Sequence, residues 1–138
     1  MILHQVAQHA DDLDRAVAFY TRLIGEPPIG IFDPPGLAFF RLGETRLLIE
    51  RGAPKALIYL RVDDVRVTVE QLRNDGVEIA SDPHVIFTDD EGQFGPPGAQ
   101  EWMAFINDSE GNMVGLASQN QPERRTASTT GTTSEGDG

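Results

Sequence analysis

His84 stands behind Asp82-Pro83 and ahead of a stretch dense in glycine and proline: Gly92, Gly95, Pro96, Pro97 and Gly98. A histidine changes charge near neutral pH, so beside a mobile loop it could serve as general acid, general base or ligand anchor. Glu101 and Trp102 follow that loop directly. Glu101 could orient His84 and Trp102 could cover a flat substrate. The plain structural reading makes His84 a hydrogen-bonded edge residue and Trp102 part of the core.

Several other chemistries lack their residues. The chain has no cysteine, which removes disulfides, thiolate ligands and a cysteine nucleophile. It has no Gly-x-Gly-x-x-Gly, no Walker loop and no Gly-x-Ser-x-Gly. Asp89-Asp90-Glu91-Gly92 lacks the alternating acids and distant bidentate glutamate of a calcium loop, so it reads as a solvated acidic turn. The formal net charge is −11 over 138 residues. Nucleic acid is a poor partner for that surface, whereas a cationic small molecule could be steered inward by it. No apolar run is long enough to span a membrane and no signal peptide precedes the first element, so a cytoplasmic location is expected.

The elements that must position these side chains come in two similar sets. Residues 10–25 and 62–76 each place an Asp-Asp pair after an apolar strand, then an amphipathic helix, then a closing glycine. A repeat at a period of about 50 residues signals two copies of one supersecondary unit. In the first copy Leu13, Ala16, Val17, Tyr20, Leu23 and Ile24 recur at helical spacing behind a capping Asp11 or Asp12, and Gly25 ends the helix. Short strands then read at about 29–33, 37–41 and 45–50, with turns at Asp33-Pro34-Pro35-Gly36 and Gly43-Glu44. The second copy runs through a strand at 56–62 and a helix capped by Asp64. Extended pieces follow at 77–80 and 84–87, then a loop over 89–99, and strands at 102–106 and 113–118. A loop of that length, about eleven residues, points to function or disorder. The expected fold is α+β, two βαβββ units at about 1–52 and 56–118 forming one domain over 1–118. Residues 119–138 are almost free of apolar side chains and read as a disordered tail.

The first helix segment, the Leu-Gly-Glu-Thr-Arg-Leu turn at 42–47 and Asn-Asp-Ser-Glu-Gly-Asn-Met at 107–113 together resemble the vicinal oxygen chelate superfamily. That group holds glyoxalase I, extradiol dioxygenases and the bleomycin-resistance proteins. The resemblance covers about residues 2–118 and implies two βαβββ sheets curled around one cavity. In its metal-using members, four inward side chains, mostly His, Glu or Gln, hold a divalent ion. By position these fall here on Gln5, Leu48, Leu57 and Gly115. Leucine offers no lone pair and glycine no side chain, while a divalent ion needs several N or O donors at about 2.0–2.2 Å. The resemblance therefore implies a protein without the superfamily metal and with no cofactor.

If those four positions point inward, strand alternation brings in Ala7, His9, Arg46, Glu50, Tyr59, Arg61, Met113 and Ala117. Gln5, Glu50, Tyr59, Arg61, Trp102 and Met113 are then the candidate ligand contacts, with His84 and Glu101 the candidate catalytic pair. Glu50 and Arg61 could instead simply pair with each other. A surrogate metal site from Gln5, His84 and Glu101 is conceivable. Two functions follow. One is metal-free binding of a small organic molecule, as the bleomycin-resistance branch resembles. The other is a glyoxalase-like lyase or isomerase, or a dioxygenase-like enzyme, using His84 with Glu50 or Glu101. A homodimer is expected from the resemblance.

Overall fold

The computed structural model describes residues 1–120. The first unit is β1 (Gln5–His9), α1 (Leu13–Ile24), β2 (Gly30–Phe32), β3 (Leu37–Leu42) and β4 (Thr45–Glu50). The second is β5 (Leu57–Arg61), α2 (Val65–Asn74), β6 (Ile79–Asp89), β7 (Ala99–Asn107) and β8 (Met113–Asn120). Each forms a four-stranded sheet, in the orders β1-β4-β3-β2 and β5-β8-β7-β6. The repeat seen in the sequence is thus a repeat of topology. In each half a helical crossover brings the first strand parallel to the last, and hairpins join the rest.

Local chemistry starts and stops these elements where expected. Asp12 is the N-cap of α1 and accepts from the Arg15 N–H, and Asp64 caps α2 through the Arg66 N–H. Gly25 ends α1 in the left-handed region at φ 85°, its N–H bonded to the Thr21 carbonyl. Two extents differ from the sequence reading. Residues 79–80 of the first piece and all of 84–87 are parts of the single strand β6, which absorbs Asp82-Pro83 through register shifts. Strand β8 continues through Gln119 and Asn120, so these two residues belong to the sheet rather than to a tail; the remainder of the expected tail, 121–138, lies outside the described residues. Among the described residues no helix is long and apolar enough to cross a membrane.

Each helix packs on one face of its own sheet. Ala16 and Tyr20 of α1 meet Ala38, Phe40, Leu47 and Ile49, while Val65, Val69 and Leu72 of α2 meet Ala104, Ile106, Val114 and Leu116. Phe19, Leu23 and Ile58 touch both cores and join the halves. Each fully buried side chain of this kind stabilises the fold by about 1.5–3 kcal/mol relative to exposure.

A polar clasp reinforces the joint. The turn between β7 and β8 supplies Asp108, Glu110 and Asn112, all buried. Tyr20 donates its hydroxyl proton to Asp108 Oδ2 at 2.6 Å and accepts from Gln8 Nε2 at 2.7 Å. Arg15 donates to both oxygens of Glu110 at 2.6 and 3.0 Å, and the Asp12 N–H donates to Glu110 as well. Asn112 donates to the His9 carbonyl and accepts from the Ala56 N–H. Burial would raise the pKa of Glu110. Hydrogen bonds from Arg15, the Asp12 N–H and Ser109, with the guanidinium charge, outweigh it and bring the carboxyl to about 2. The Tyr20 hydroxyl is pushed up by burial and by its bond to Asp108.

Candidate functional site

The face of each sheet away from its helix is open, and alternation decides what it displays. On the first sheet β1 and β4 pair as Gln5 with Arg46, Ala7 with Leu48 and His9 with Glu50. Arg46 donates through Nε to Gln5 Oε1 at 3.1 Å and lies 5.7 Å from the Phe39 ring centroid. His9 reaches Asp11 through Nε2 at 2.7 Å, with Nδ1 near the carbonyls of Arg51 and Ala53. The bond to Asp11 is the main cause of its raised pKa.

The open face of the second sheet carries Leu57, Tyr59 and Arg61 from β5. From β8 it carries Met113, Gly115, Ala117 and Gln119, and from β7 Phe105, Met103 and Glu101. From β6 come His84, opposite Met103, and Phe87, opposite Glu101. The shift between Val85 and Phe87 inserts Ile86 and turns Phe87 onto this face. The Tyr59 ring fills the space above Gly115: a Cβ there would stand 2.6 Å from Tyr59 Cδ2 and 3.2 Å from Phe105 Cε1. Tyr59 and Phe105 meet edge to face at 5.9 Å.

Two hollows meet at Tyr59 and Arg61. A cleft of about 690 Å³ lies between the units, walled by Leu3, Val6, Leu23, Leu42, Ile58 and Leu60 among others. Its lining is largely apolar, within the range of clefts that hold small molecules, roughly 300–1,000 Å³. A smaller trough of about 180 Å³ lies on the open face of the second sheet, between Tyr59, Arg61, Glu101, Ala117 and Gln119.

The loop before β7 is far from structureless. Asp89 is 7 % exposed and its carboxylate accepts from the N–H groups of Gln93, Phe94 and Gly95 at 2.8–3.1 Å. The Phe94 N–H leads the causes that hold this carboxyl below its ordinary range. The solvated acidic turn expected at 89–92 is therefore corrected at Asp89, which is the buried anchor of the loop. Phe94 packs on Phe87 at 5.7 Å.

The candidate residues divide between the two sheets. Tyr59 and Arg61 share both hollows, and Glu101 joins them in the trough. Gln5 and Glu50 face out from the other sheet, so no Glu50–Arg61 pair and no Gln5–His84–Glu101 cluster forms. His84 shares its face with Glu101, but its ring Nδ1 bonds the Asp82 carbonyl at 2.9 Å and Glu101 does not orient it. Trp102 points to the helical side, packing on the second core under Arg66 at 4.4 Å, so it covers no open-face ligand. Met113 lies exposed beside Leu57 at the end of the face. Ala117 stands on this face as the alternation expects, and Gln119, which the sequence reading did not name, is one further step of the same alternation along β8. Asp89 lacked a signal beyond the glycines that follow.

The residues that the resemblance puts at the metal positions do not fit a cation. Gln5 already faces the Arg46 guanidinium, Leu48 is 8 % exposed among apolar neighbours, Leu57 carries no donor, and Gly115 is covered by Tyr59. Among the described residues no three His, Asp or Glu side chains gather as a metal would require.

The sequence matches the Glyoxalase/Bleomycin resistance protein/Dioxygenase superfamily over residues 2–116. This chain belongs to that superfamily. No curated protein matches the sequence. Solved structures that share the superfamily fold include lactoylglutathione lyase from Agrobacterium tumefaciens, 22% identical, TM-score 0.64, covering 85% of this chain and 92% of that one. A superfamily member from Sphaerobacter thermophilus DSM 20745 is 18% identical at TM-score 0.65, covering 86% of this chain and 97% of its own. An antibiotic binding protein from Streptomyces sp. CB03234 is 20% identical at TM-score 0.60, covering 89% and 97%. At these identities the likeness is one of fold.

Proposed function

We propose that this superfamily member binds a small organic molecule between and beside its two units without the metal that some of its kin use. The observation that carries the reading is the set of side chains at the four metal positions: an amide facing an arginine, two leucines, and a glycine beneath a tyrosine ring. An apolar cleft bordered by Tyr59 and Arg61 supports an organic ligand. The net charge of −11 supports one with a positive group. Native mass spectrometry of the purified chain tests this. An organic adduct without stoichiometric metal is expected; a bound transition ion overturns the reading.

A second reading, a glyoxalase-like lyase or isomerase, is supported by one observation. His84 and Glu101 stand on the same open face of adjacent strands. Glu50 sits in the other sheet and is the weaker partner. Under this reading His84→Ala abolishes turnover of a bound ligand while binding persists; unchanged turnover removes His84 from the chemistry. We also propose a homodimer, supported by large exposed apolar side chains such as Ile31, Phe32, Ile86 and Phe94. Sedimentation reads it directly.

A further inference from the structure

We propose that the trough over Ala117 binds a small aromatic zwitterion, its cationic group meeting Glu101, its anionic group meeting Arg61 and its ring resting on Tyr59. The inference deepens the metal-free binding reading and rests on it. The trough holds one acid and one base, Glu101 and Arg61. Among the described residues neither makes an ion pair, with the other or with anything else. Elsewhere on this chain neighbouring opposite charges do pair, as Arg15 with Glu110, Arg66 with Asp64 and Arg73 with Asp82.

The sheet keeps the two apart. Arg61 on β5 and Met103 on β7 both pair with Ala117, and Glu101 lies two residues further along β7, opposite Gln119. Strand spacing puts the Cα atoms of Arg61 and Glu101 roughly 12 Å apart. Two long side chains leaning inward over that span can hold a small molecule between them. The methyl of Ala117 leaves the floor low. A purely cationic guest would meet Arg61 unfavourably and a purely anionic one Glu101, so a guest carrying both charges matches the pair best. The volume, about 180 Å³, is below that of sites for drug-sized ligands, roughly 300–1,000 Å³, which limits the guest to the size of an aromatic amino acid. Tyr59, 54 % exposed and pinned edge-to-face on Phe105, presents a ring face for stacking.

Three matched probes test the proposal by amide chemical-shift titration of the full, isotope-labelled chain: phenylalanine, phenethylamine and 3-phenylpropionate. Phenylalanine is expected to move the amides of Gly115, Ala117 and Gln119 and to bind about tenfold more tightly than either singly charged probe, the size of one charge-assisted contact. Arg61→Gln should erase its advantage over phenethylamine, and Glu101→Gln its advantage over 3-phenylpropionate. Arg61 is exposed and Glu101 only partly buried, so neither change threatens the fold. Equal affinities for the three probes, shifts confined to the cleft around Leu3 and Leu42, or no shifts at all overturn the assignment. Those outcomes leave the metal-free reading to its own measurement, and a metal found in the purified chain overturns that reading whatever the titration gives.

Discussion

Replacing Glu110 with glutamine keeps the shape of the clasp and removes its charge. In the folded chain the Glu110 side chain is fully buried and its pKa is lowered from 4.5 to about 2. A folded pKa below the unfolded one means stability that is present above pH 4.5 and lost as pH falls toward 2. At 1.36 kcal/mol per unit, the carboxylate contributes about 3 kcal/mol at pH 7. That is a large share of a total near 5–15 kcal/mol, typical of a domain. In the variant, the new amide N–H₂ would also face donors from Arg15, Ser109 or the Asp12 N–H. Urea unfolding of Glu110→Gln should show a loss of about 3 kcal/mol at pH 7, shrinking to about 1 kcal/mol at pH 2.5. A loss equal at both pH values refutes the electrostatic argument. So does a loss under about 0.5 kcal/mol at pH 7, the scale of an exposed ion pair.

Tyr20→Phe removes the hydroxyl between Gln8 and Asp108 and should cost about 1–3 kcal/mol in urea unfolding, because two buried polar groups lose a partner. Gly115→Ala drives a methyl into the Tyr59 ring; it should lift the ring off Phe105, seen as lost ring-current shifts, at a cost of about 1–3 kcal/mol. Asp89→Asn should speed hydrogen exchange at Gln93, Phe94 and Gly95 about tenfold with little change in global stability, since these three amides hang from one carboxylate. In the unmodified chain the same amides should titrate together below the ordinary carboxylate range, because the latch holds while Asp89 is ionised and opens as it protonates.

The fold is legible in the sequence because several local signals agree: Asp12 and Asp64 as caps, Gly25 as a stop, and helical apolar spacing in both halves. The site is legible only in part. Period-two alternation from Leu57 and Gly115 correctly places Tyr59, Arg61 and Ala117 on one face. It does not tell which sheet faces which hollow, so Gln5 and Glu50 enter the same candidate list although they belong to the other sheet. Trp102 is adjacent to Glu101 in sequence and therefore opposite to it in a strand, which sends the indole to the core. The loop at 89–98 reads as irregular because its order comes from one side chain accepting backbone protons, a pattern invisible to composition.

The most direct test of the central claim is a metal titration of the purified chain followed by native mass spectrometry, with Gln5→Leu in parallel. The account predicts that nickel, zinc, manganese and iron add no stoichiometric mass to either protein. A transition ion held one to one by the natural sequence and lost on Gln5→Leu would contradict it.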